Sequence, residues 1–230
     1  VLGTNGSVIA SGDVSPSTAD GTDFGDVYFF GAASRTNSFS ITNSGNAVIT
    51  ISGVTTSSAM GAAADFTVLS WPIAVEPGTK SNLVIRFNPA SLGVRTALVS
   101  VANNDADENP FTFAVQGTGV FNVAAYPYRA QVQFFGYGRD EALTNFPALV
   151  VLGAAITNFS YGGFLDPSGG DLRFTDASQT RLLRHEVETW NTGGSSFVWV
   201  RVPELVGSTT TVWALWGNPA QTNSPAFTTN

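Results

Sequence analysis

Between Asn37 and Gly119 apolar residues return at every second position, interrupted at short intervals by Gly, Pro and Asn. Phe39 and Ile41, Val48 and Thr50, Leu83, Ile85 and Phe87, Ala97, Val99 and Val101, and Phe111, Phe113 and Val115 mark successive runs. A period of two places alternate side chains on one face, so each run is expected to form a half-buried strand and each interruption a turn. Expected strands are 27–31, 36–42, 47–53, 66–70, 81–88, 94–103 and 110–117, after an opening edge segment and long loop over 1–26. Asn43-Ser44-Gly45-Asn46 and Glu76-Pro77-Gly78-Thr79 read as hairpin turns, where Gly or Asn accepts positive φ. Ser58 to Phe66 alone has local helix propensity and is expected to make one short turn.

The same style continues after Gln116-Gly117-Thr118-Gly119, with strands expected near 128–135, 146–152, 171–175, 181–189, 196–202 and 210–216. The expected fold class is all-β: two tandem β-sandwich domains, immunoglobulin-like over 1–119 and jelly-roll-like over 126–230, joined by a linker at 120–125 and ending in a polar tail. A length of 230 residues with 43% hydrophobic and 12% charged residues supplies two cores and argues against disorder.

Net charge −7 with a single Lys, Lys80, argues against nucleic-acid and anionic membrane partners, which call for many clustered cations. No apolar run approaches the roughly 20 residues of a spanning helix. Cysteine is absent, which excludes disulfides, thiolate metal sites and a Cys nucleophile. One Met, one Lys and abundant Thr, Asn, Ser and Gly suit an exported chain, so a secreted or cell-surface location is expected. The start at Val1 suggests a leader already removed or an excised piece.

Six short motifs carry a resemblance. Phe39-Ser-Ile-Thr-Asn-Ser-Gly45, Ala64-Asp-Phe66, Val75-Glu-Pro-Gly78, Phe87-Asn-Pro89, Asn104-Asp-Ala-Asp-Glu-Asn-Pro-Phe111 and Gln116-Gly-Thr-Gly119 together resemble the immunoglobulin-like domains of the abnormal-spindle and hydin type, in the bacterial choice-of-anchor form. Beyond them, Tyr126-Pro-Tyr-Arg129, Gly170-Asp-Leu-Arg-Phe-Thr-Asp176, His185 to Trp190, Val198 to Pro203 and Trp213 to Pro219 resemble domain of unknown function 2341 over about 126–220. That resemblance implies a large secreted surface protein, often beside lectin modules, and no assigned reaction.

Several residue groups invite a chemical role. His185, the only histidine, would need a carboxylate and a nucleophile beside it to form a relay, and a sheet-face hydrogen bond competes. Glu186 and Glu188 share one strand face about 7 Å apart, yet a glycosidase pair must flank a cleft; an ion-pair ladder with Arg184, Arg173 or Arg201 competes. Asp105, Asp107 and Glu108 are oxygen ligands of the kind calcium accepts, as are Asp13, Asp20, Asp23 and Asp26 and the Asp166, Asp171 and Asp176 group, although Asx turns use the same residues. No other cofactor is expected. Trp190, Trp199, Trp213 and Trp216 raise the prospect of sugar stacking. Alternation of Trp199 with Phe197 and of Trp213 with Leu215 favours burial for that set and leaves Trp190 and Trp216 as the expected stacking pair. Asn5-Gly6-Ser7 and Asn158-Phe159-Ser160 satisfy the short N-glycosylation triplet.

The leading expectation is a non-enzymatic, extracellular structural or adhesive protein that assembles as a filament or surface layer. Self-association is expected through sheet edges or termini, with Val1, Val8, Ile9 and Ala10 on the assembly strand. The alternatives are a carbohydrate-binding module of a larger secreted protein, with glycans as partners, and hydrolysis by Glu186 and Glu188.

Overall fold

A computed structural model describes residues 1–29, 33–58 and 61–225. The chain is all-β and divides into two compact units, one ending at Val120 and the other starting at Phe121. In the first unit the strands are β1 (Asp23–Phe29), β2 (Arg35–Thr42), β3 (Ile49–Ser57), β4 (Phe66–Ser70), β5 (Ala74–Val75), β6 (Lys80–Phe87), β7 (Gly93–Asn103) and β8 (Phe111–Phe121). They form a five-stranded sheet, β1-β8-β7-β3-β5, and a three-stranded sheet, β2-β6-β4. Residues 30 and 31 of the expected strand 27–31, and 59 and 60 of the expected turn 58–66, lie outside the described residues; Ala63–Asp65 forms a 3₁₀ turn.

The alternating residues face inward as their spacing requires. Phe39, Leu83, Ile85, Phe87, Ala97, Val99, Phe113 and Val115 are all fully buried. At the centre Phe66 stacks on Phe87 at 4.8 Å and Phe24 meets Phe66 edge-on at 5.7 Å; removing one such ring costs roughly 3–5 kcal/mol. β3 departs from the expected register. Ile49 and Ile51 take the inward parity, which leaves Val48 and Thr50 exposed, and a bulge between Ile51 and Gly53 then carries the inward position to Val54.

The motifs of this unit are joints between strands. Buried Asp65 accepts from the Ala90 N–H and from Arg95 Nε, while its own carbonyl accepts from the Asn88 N–H, so Ala64-Asp-Phe66 holds Phe87-Asn-Pro89. Buried Asn43 donates to the carbonyls of Ala47 and Val75, fastening the first hairpin to the second.

Val1 to Ala10 belongs to this unit. Leu2 exchanges both backbone hydrogen bonds with Ser40 of β2, at 2.8 and 2.9 Å, and the Ile9 N–H donates to the Val1 carbonyl. Ile9 is 1% exposed within the core. The expected assembly strand is therefore corrected. Val1 and Ile9 are used inside the fold, and only Val8 and Ala10 of the four named residues are exposed.

The second unit contains β9 (Tyr128–Gln133), β10 (Leu143–Leu152), β11 (Arg173–Asp176), β12 (Leu182–Leu183), β13 (His185–Thr189), β14 (Ser196–Leu205) and β15 (Thr211–Trp216). One sheet has the order β10-β14-β13 and the other β12-β11-β15-β9. Val150, Leu152, Val198, Val200 and Val202 from the first sheet share a core with Ala130, Phe174, Val212 and Ala214 from the second. The expected strand 181–189 is broken at Arg184, because β12 pairs with β11 in one sheet and β13 with β14 in the other. Among the described residues no helix is long and apolar enough to cross a membrane.

Candidate functional site

β14 is apolar on both faces. Ser196, Val198, Val200 and Val202 enter the core, which forces Phe197, Trp199 and Arg201 outward on the central strand of the three-stranded sheet. Register then sets their neighbours: Val151 lies opposite Phe197, Leu149 opposite Trp199 and Pro147 opposite Arg201, while Glu186 of β13 flanks Trp199 from the other side. Leu149, Val151, Phe197 and Trp199 are each about 40% exposed and form one apolar patch on the outer face of this sheet. The Trp199 indole N–H donates to Glu188 Oε2 at 2.6 Å, fixing the ring beside its carboxylate.

The expected stacking pair is corrected. Trp216 is fully buried, stacked on Phe164 at 5.3 Å and 7° and on Tyr128 at 5.9 Å. Trp190 is half-buried, with edge contacts to Tyr161 and Phe164, and its indole N–H donates to the Pro167 carbonyl at 2.9 Å. It closes over Gly169, where a Cβ would meet the indole at 2.7 Å. Phe197 and Trp199 are the outward set, opposite to what their alternation implies. A strand with apolar residues at both parities is the sequence signal for such a patch.

The other candidates separate. His185 faces inward against Phe174, and burial, with the charge of Arg173 second, lowers it to about 4, which leaves a neutral imidazole at pH 7. Glu186 and Glu188 lie on the open outer face, with Glu188 bound to Trp199, and Arg173 is no rung of a ladder beside them. Arg173 is buried in the opposite sheet and donates to the carbonyls of Gly170, Leu172 and Asn223, holding residues 221–223. Asp171 accepts from the N–H groups of Leu165, Asp166 and Gly217, and Asp176 accepts from those of Thr180 and Arg181. These carboxylates fill turns, as Asp13, Asp20 and Asp23 do in the first unit.

Asp105, Asp107 and Glu108, the expected calcium set, lie in the loop between β7 and β8. Among the described residues no three His, Cys, Asp or Glu side chains converge as a metal site. The loop is shaped by amides: Asn103 donates to the Glu108 carbonyl and accepts from the Asp105 N–H, and Asn109 accepts from the Asn103 N–H. A hydrogen bond from Asp107 raises the Asp105 carboxyl above its usual range.

One solved structure, the secreted serine protease VesC from Vibrio cholerae, is similar at 12% identity and a TM-score of 0.35 over 88% of this chain. The chain spans 46% of that protein's length. No curated protein matches it. Residues 18–118 match the family described as HYDIN/CFA65/VesB-like, Ig-like domain, and residues 168–228 match Domain of unknown function (DUF2341). The second match starts well after the 126 read from the motifs. Two segments of the chain thus match, in this order, the HYDIN/CFA65/VesB-like Ig-like family and the DUF2341 family.

Proposed function

We propose that this chain is a non-catalytic, adhesive part of an extracellular protein, in which the first unit is a spacer and the second presents a carbohydrate contact face centred on Trp199. The single observation that carries the reading is the half-exposed indole, set among Leu149, Val151 and Phe197 on a flat sheet and oriented by Glu188. An indole face offers apolar area at low entropy cost and matches the C–H face of a pyranose ring. Sparse Lys and Met suit a protease-exposed, oxidising setting. The non-catalytic part of the reading is supported by the engagement of Glu188 and the burial of His185.

A glycan array probed with the purified chain tests the reading. Binding is expected, and Trp199→Ala is expected to weaken it about tenfold without moving the melting temperature. Absence of binding to any glycan, or binding indifferent to that substitution, refutes it.

Self-assembly is the second reading. β10 and β13 are the outer strands of their sheet and the apolar patch adjoins β10, so a second copy also fits there. Concentration-dependent sedimentation that Val151→Glu abolishes would favour it over glycan binding.

A further inference from the structure

At the end of the same face the chain gathers positive charge. The Arg201 N–H donates to the Arg184 carbonyl at 2.8 Å, continuing the register in which His185 opposes Val200, so the two arginines stand side by side across β13 and β14. Arg181, three residues earlier at the corner between sheets, joins them around a cavity of about 250 Å³ that Asn145, Leu183 and Pro203 complete. Three of the ten cationic residues of a chain with net charge −7 thus line one cavity. Like charges directly opposed across strands destabilise a sheet.

Carboxylates stand near this cavity. Glu204 and Asp176 border the adjoining cavity that shares Arg181, and Asp176 is committed to the N–H groups of Thr180 and Arg181 and to Ser178 Oγ. Glu186 and Glu188 lie along the sheet toward Trp199. No salt bridge joins a carboxylate to Arg181 or Arg201 among the described residues.

We propose that this arginine cavity binds the oxyanion of an acidic saccharide, a uronate carboxylate or a sulfate, while the sugar ring lies toward Trp199. Guanidinium forks match planar oxyanions with paired hydrogen bonds. Arg201 and Trp199 are two residues apart on one strand face, about 7 Å, which is the span of one sugar unit with its acidic substituent. The inference deepens the Trp199 reading and rests on it.

The test is titration of the purified chain with polygalacturonate, dextran sulfate, neutral dextran and a DNA fragment. Preference for an acidic polysaccharide over dextran is expected, weakening with salt, and the two acidic polymers separate carboxylate from sulfate recognition. Arg181→Gln and Arg201→Gln, both at exposed positions, should each weaken acidic binding about tenfold and leave neutral binding unchanged. The Arg181→Lys, Arg201→Lys double variant should retain part of the affinity, since charge remains and the fork is lost.

Equal binding of acidic and neutral polymers, indifference to the arginine substitutions, or DNA binding as tight as saccharide binding overturns the inference. Loss of all saccharide binding in Trp199→Ala, with acidic preference absent in the parent chain, leaves the contact face standing and removes only the acidic ligand. No binding to any polymer removes both.

Discussion

Single residues in the first unit show how a loose-looking motif enforces a tight joint. A Cβ on Gly117 would sit 2.4 Å from the Phe87 ring, and one on Gly119 would sit 2.1 Å from the Ser91 carbonyl, so Gln116-Gly-Thr-Gly119 is a contact surface for the opposing sheet. In the second unit the informative residue is His185. Its native value of about 4 lies below the ordinary 6.5, so the unfolded chain takes up a proton that the folded chain refuses. The stability this contributes is complete above about pH 6.5, shrinks as the pH falls toward 4, and amounts to about 3 kcal/mol. Urea melts at pH 7, 5 and 4 should show the second unit weakening across that window, and His185→Gln should flatten the dependence. An unchanged slope in the variant would mean that other groups carry it.

Among the elements, two depart from what local pattern alone implies, and both bear on function. The Val1 to Ala10 segment looks like a free strand but spends its hydrogen bonds on Ser40 and its Ile9 side chain on the core. Deleting residues 1–10 should lower stability by roughly 2–5 kcal/mol, the range for losing a buried Ile. Deletion also bares part of the β2 edge, so the melting temperature should drop and self-association should appear in sedimentation. A monomeric, equally stable truncation would deny the segment that role. The second element is the run from Arg181 to Thr189, whose break at Arg184 carries the chain from one sheet to the other and brings Arg181, Arg184 and Arg201 to one cavity.

For the whole molecule, separate cores in the two units imply separable unfolding. Calorimetry should resolve two transitions, and Trp216→Ala, which empties a stacked site, should lower one of them by roughly 3–5 kcal/mol of stability while leaving the other in place. A single transition that moves as a unit would contradict this independence. Strand positions, the inward residues of β2, β6, β7 and β8, and the order of the two families were legible in the sequence, because a period of two and turn residues at fixed offsets are local properties of the chain. Val48 faces solvent because apolar residues occupy both parities of this run and Ile49 and Ile51 take the inward one. Trp190 and Trp216 were misassigned because alternation gives two faces and does not say which is buried. The sequence alone determined an all-β chain of two cores, acidic overall and without cysteine. Which indole meets solvent, and that Arg181, Arg184 and Arg201 meet at one cavity, was decided only by tertiary structure, since both depend on how strands pair and on which side the second sheet packs.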